Sequence, residues 1–146
     1  MRLPRTGSAG APSDPVPDEF PVVGAAAMDA DLLGSWSATR WQYGATGHHE
    51  LLVDVVAGLR GSVTMSLSEG AFVLTWDIPG RGVGSLGGTI ELSDGLLTLR
   101  QRDGSADVLR YRVAAHTLVL NADESRWDFD GSGAVAAGFA AVLVRL

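Results

Sequence analysis

Residues 62–76 read Ser62-Val63-Thr64-Met65-Ser66-Leu67-Ser68-Glu69-Gly70-Ala71-Phe72-Val73-Leu74-Thr75-Trp76, and this stretch decides the fold. Val63, Met65 and Leu67 alternate with small polar residues. Beyond Glu69-Gly70, Phe72, Leu74 and Trp76 take up the same alternation. A period of two is the signature of a half-buried strand. A two-residue turn at Glu69-Gly70 pairs Leu67 with Phe72, Met65 with Leu74 and Val63 with Trp76. All six then share one face. Turn length sets register, and a slip of one residue would turn one apolar set to water.

Two further turns repeat the pattern. Asp94-Gly95 predicts Leu92 opposite Leu97 and Ile90 opposite Leu99. Ala114-Ala115 predicts Tyr111 opposite Leu118 and Leu109 opposite Leu120. Between residues 96–102 and 106–113, a three-residue loop Asp103-Gly104-Ser105 keeps the apolar faces in agreement. It pairs Leu99 with Leu109 and Leu97 with Tyr111, with Gly104 or Ser105 in the left-handed region. Strands at 35–43, 85–93 (with a bend or bulge at Gly87-Gly88), 116–121 and 138–146 complete the set. The expected fold is all-β: an eight-stranded antiparallel up-and-down barrel, the size that is just filled or holds one small ligand. Short turns fall at one end and long connections at the other. A short helix is expected within 44–58, from the spacing of Leu51, Leu52, Val55 and Val56.

The first 27 residues hold five of the six prolines. They read as a flexible Pro/Gly/Ala-rich tail, leaving 28–146 as the barrel domain. There is no cysteine and no lysine, and all 11 basic residues are arginine. Thiolate and Schiff-base chemistry are therefore excluded. The net charge of −6 argues against a nucleic-acid partner. No signal peptide is visible and no apolar run would span a bilayer, so the expected location is cytoplasmic. No cofactor is expected.

Leu33-Gly34-Ser35-Trp36 resembles the Gly-x-Trp motif of lipocalins, and Leu143-Val144-Arg145-Leu146 places an arginine on the last strand. Trp127-Asp128-Phe129-Asp130-Gly131-Ser132-Gly133 is similar to the closing segment of bacterial lipocalin-like domain proteins. The resemblance to this calycin-type family covers roughly 33–146. It implies that Arg145 stacks on Trp36 at the closed end. It also implies a small, mainly apolar ligand in the barrel.

Apolar parity points Arg40, Gln42, Gln101 and Asp107 inward near the open rim. Met65, Phe72, Leu74, Trp76, Leu109 and Tyr111 would be cavity walls, with Trp127 above them. Arg40 would anchor an anionic head, helped by Gln101, unless it pairs with Asp107. Trp41 and Tyr43 fall outward, packed under the following connection or the tail, or serving as a lid or homodimer contact. His48-His49-Glu50 lacks a fourth ligand and reads as a solvated loop rather than a metal site. His116, in phase with Leu118, reads as a core histidine. Asp128-x-Asp130-x-Ser132 begins like a calcium loop, but Phe139 stands where the closing glutamate is required. Arg100, Arg102, Arg110 and Arg112 share an outward face, read as solvated or as an anion patch. The leading function is binding of a small hydrophobic molecule. The alternative is a non-covalent cyclase or isomerase that folds a polyketide-type substrate in the same cavity.

Overall fold

The structure is a computed structural model that describes residues 30–48 and 51–146. The predicted tail lies outside these residues, as do His49 and Glu50. A 3-10 turn, Ala30–Leu32, precedes nine strands: β1 Gly34–Ala45, β2 Leu52–Asp54, β3 Ser62–Ser68, β4 Ala71–Ile78, β5 Gly82–Ser93, β6 Leu96–Gln101, β7 Ala106–Ala114, β8 Thr117–Trp127 and β9 Val135–Arg145. Each strand pairs antiparallel with the next along the order β1-β3-β4-β5-β6-β7-β8-β9, and β9 closes back on β1. The result is a closed eight-stranded barrel, with β2 as a short rider on β1.

The hairpin that decides the fold has the predicted register: Leu67 faces Phe72, Met65 faces Leu74 and Val63 faces Trp76. Leu92 faces Leu97 and Ile90 faces Leu99, also as predicted. The next two ladders are shifted by two residues. Leu97 pairs with Leu109 and Leu99 with Asp107, because the three-residue loop is Arg102-Asp103-Gly104, closed by Gln101 N donating to Ser105 O at 2.8 Å. Gly104 is the left-handed residue, with φ 93°. Tyr111 pairs with Leu120 and Val113 with Leu118, because the turn is Ala115-His116. A shift of two preserves facing, so the apolar side is unchanged. His116 lies in that turn and is exposed, not a core residue.

The predicted helix in the first long connection is absent from its described residues. Leu52–Asp54 pairs with β1 instead, and a turn follows. Asp54 holds this turn: one carboxylate oxygen accepts from the backbone N–H of Trp41 (3.2 Å), Val56 (2.9 Å) and Ala57 (3.2 Å). Val55 is then fully buried.

β1 carries a bulge between Ala38 and Arg40, where its register with β9 shifts. A bulge adds one residue and so reverses the facing of everything beyond it. Trp41 and Tyr43 therefore turn inward and are buried, while Arg40 is exposed on the outside. β8 has a similar irregularity between Ala122 and Ser125, beyond which Ser125 and Trp127 face in. On β9, Ala141 leaves room for Trp41, and Phe139 packs against the rings of both Trp41 and Tyr43.

Candidate functional site

At the closed end the Arg145 guanidinium carbon lies 4.3 Å from the Trp36 ring centroid. Arg145 Nη1 donates to Leu33 O at 2.7 Å, and Nη2 reaches Asp31 O. Trp36 Nε1 donates to Leu32 O at 3.0 Å, and Leu32 is buried beneath. Gly34 has φ 127°, and a Cβ there would sit 2.9 Å from Arg145 Nη1. The glycine thus leaves room for the guanidinium, and this end is a structural plug.

The open half is filled by aromatics. Tyr43 stacks on Trp127, with centroids 4.7 Å apart and planes at 11°. Phe139 meets Trp41 edge-on at 4.9 Å, and Arg81 lies 5.1 Å from the Trp127 centroid. Trp41 Nε1 donates to Tyr43 Oη at 3.1 Å. Burial drives the Tyr43 phenol well above its ordinary range. The hydrogen bond from Trp41 opposes this, and the charge of Asp107 adds to it. Gln101 Nε2 donates to Asp107 Oδ2 at 3.2 Å, both side chains being buried. Gln101, Asp107 and Ser125 are the buried polar or charged residues among the described ones, and the Asp107 charge acts on Tyr43. The indole nitrogens of Trp76 and Trp127 are buried without an acceptor among the described residues.

Of the residues predicted to wall a cavity, Met65, Phe72, Trp76, Leu109 and Trp127 are at most 3% exposed. An exposure that low leaves no water-sized space against them. Leu74 is 6% exposed and Gln101 9%, and Tyr111 is half-buried. Arg40, the predicted anchor, is on the outer surface because of the β1 bulge and reaches none of these groups from inside.

A cleft between described residues lies in the side wall. It measures ≈ 420 Å³ and is lined by Val73, Ser85, Leu86, Gly87, Gln101, Arg102 and Asp103. It forms because β6 ends at Gln101 while β5 runs on: β5 pairs with β4 from Gly82 to Thr89 but with β6 only from Gly88. Glycines shape the wall. A Cβ on Gly84 would run into the Trp76 ring, and one on Gly88 into the Arg100 carbonyl. Gln101 belongs to both places. The residue lines the cleft, and its side chain bonds to Asp107. Of these lining residues the sequence points to Gln101 as a ligand contact and to Arg102 as part of an outward arginine face. The signal for the rest was the glycine pair at 87–88 beside a short sixth strand.

The outer arginines are partly neutralised. Arg110 pairs with Asp123 at 2.9 Å and Arg100 with Glu91 at 3.5 Å. The Asp128–Ser132 segment bonds to itself: Asp128 accepts from Gly131 N–H and Asp130 from Ser132, which holds the Asp130 carboxyl below its usual range. Among the described residues no group of three or more His, Asp or Glu side chains gathers for a metal ion, and no helix is long and apolar enough to cross a membrane. Compared with protein families, with curated proteins and with solved structures, the chain matches none. Its architecture is consistent with a calycin-like barrel, a fold compatible with ligand binding.

Proposed function

We propose that this chain binds a small, mainly apolar molecule in the side-wall cleft between β5 and the β6–β7 loop. The supporting observation is the cleft of ≈ 420 Å³ that ends on Gln101, the outer member of a buried amide–carboxylate pair. Ligand pockets are typically about 300–1,000 Å³, with an apolar lining and a few convergent polar groups. Here Leu86 and Val73 supply the apolar surface, Leu74 faces Leu86 across the ladder, and Gln101 and Arg102 take a polar or anionic end. Arg102 thus fills the role that the sequence suggested for Arg40.

An open cleft covers one side of its guest. About 200 Å² of apolar burial at about 25 cal/mol/Å² gives about 5 kcal/mol before association costs. Affinities in the range of tens to hundreds of micromolar follow. The test is a Trp76 fluorescence titration with apolar carboxylic acids and their methyl esters. Leu86→Trp should fill the cleft and abolish binding of both series. Arg102→Ala should weaken the acids by about threefold and leave the esters alone, as suits a solvent-exposed charge. Unchanged binding in Leu86→Trp contradicts the proposal.

A second reading, a cofactor-free cyclase or isomerase, draws on the buried Gln101–Asp107 pair and the Tyr43 hydroxyl on which the Asp107 charge acts. Its signature is turnover lost in Asp107→Asn with binding retained.

A further inference from the structure

We propose, resting on the cleft reading above, that the ligand is a short peptide-like molecule in extended form, recognised through its secondary amides by the free edge of β5. The direction of the β5 backbone carries this inference. Ile90 N donates to Gly70 O at 3.2 Å, one step beyond the Ala71–Thr89 pair. In an antiparallel ladder, hydrogen-bonded residues alternate. Even-numbered β5 residues therefore turn their N–H and C=O toward β4, and odd-numbered ones turn theirs toward β6. The Ser93–Leu96 pair flanking the two-residue Asp94-Gly95 turn agrees with this alternation. Val83, Ser85 and Gly87 accordingly point N–H and C=O at the side where β6 has already ended. Among the described residues no backbone hydrogen bond outside the strand ladders joins Val83, Ser85 or the Gly87 N–H to the β6–β7 loop.

Two of these three, Ser85 and Gly87, line the cleft. Gly87 has no side chain to stand in the way, and Val83 is 77% exposed. A strand residue occupies about 160 Å³, from a rise of about 3.3 Å, a strand spacing of about 4.8 Å and a sheet thickness of about 10 Å. The cleft of ≈ 420 Å³ then holds two to three residues of extended chain. That size fits a small peptide-like molecule rather than a long strand from another protein. A residue placed opposite Leu86 would turn its side chain inward, toward Leu86 and Leu74, whereas its neighbours would exchange hydrogen bonds with Ser85 and Gly87.

The probe is N-acetyl-Gly-Leu-Gly methylamide, followed by the amide resonances of isotope-labelled protein. The inference predicts shifts centred on Ser85 and Gly87, slowed exchange of those two amides, and a loss of about tenfold when both glycines are N-methylated. N-methylation of the leucine alone, whose N–H points away, should change affinity less than threefold. Ser85→Pro removes one free N–H at an edge position that tolerates proline. It should weaken the peptide about tenfold. Equal binding of all N-methylated forms overturns the amide reading and leaves the cleft reading standing. Binding of apolar acids but not of the peptide does the same. If neither class shifts the cleft residues, both readings fall.

Discussion

Arg145→Ala tests the closed end, where one side chain joins the first strand to the last. The guanidinium lies 4.3 Å from the Trp36 ring, donates to Leu33 O at 2.7 Å and reaches Asp31 O on the preceding turn. A partly desolvated cation–π contact is worth about 1–2 kcal/mol. A hydrogen bond from a charged donor to a half-buried carbonyl adds about 1.5 kcal/mol. The bond to Asp31 is exposed, and water replaces it on truncation. The expected loss is therefore about 2.5–3.5 kcal/mol, or roughly 10–14 °C in Tm at about 4 °C per kcal/mol for a domain of this size. Arg145→Lys keeps the charge but loses the planar fork and should recover less than half. Urea unfolding followed by tryptophan fluorescence measures it, with the slope unchanged. A double-mutant cycle with Trp36→Leu should return a coupling of about 1 kcal/mol. A loss below about 0.5 kcal/mol, or no coupling, would refute the reasoning and make the stack incidental.

Gly84→Ala pushes a methyl into the Trp76 ring. It should cost about 1–3 kcal/mol by overpacking and shift the Trp76 emission. Asp54→Ala removes the acceptor of three backbone amides. It should cost about 1–2 kcal/mol and speed hydrogen exchange at Val56 and Ala57. Tyr43 has a folded-state pKa above its unfolded value of about 10. Its contribution is present in full below pH about 10 and is lost as pH rises further, because only the unfolded chain can ionise it. Unfolding free energies at pH 9 and pH 11 should show that fall, with the Tyr43 phenolate absorbing only once the barrel opens. No loss of stability over that interval would contradict the burial of its hydroxyl.

The turns tell how far the sequence could be read. Glu69-Gly70 and Asp94-Gly95 each end in a glycine with positive φ, 81° and 82°, and each ladder has the register those residues demand. Ala114, Ala115 and His116 offer no such marker. Ala115 takes φ 51° without being glycine, and the register there differs by two. The β1 bulge left no turn residue in the sequence, yet it decides the site. Thr39 and Arg40, two polar residues between Ala38 and Trp41, are its trace. Strict alternation puts two large aromatics on the outer face of the barrel and an arginine on the inner one. Burial of Trp41 and Tyr43 against Ala141 and Phe139 of β9 outweighs the unbroken ladder. The cleft was harder to foresee because it depends on where β6 ends relative to β5. That offset is a property of the closed barrel and not of any one strand.

The central claim is that ligand enters through the side wall and not through a cavity among the core aromatics. Amide chemical-shift mapping on isotope-labelled protein, titrated with an apolar carboxylic acid such as octanoate, tests it directly. The account predicts saturable shifts confined to Val73, Ser85–Gly87 and Gln101–Asp103, with Met65, Leu109 and Leu120 unmoved. Shifts centred on those three interior residues, or on the outer face of Arg100, Arg110 and Arg112, would contradict it.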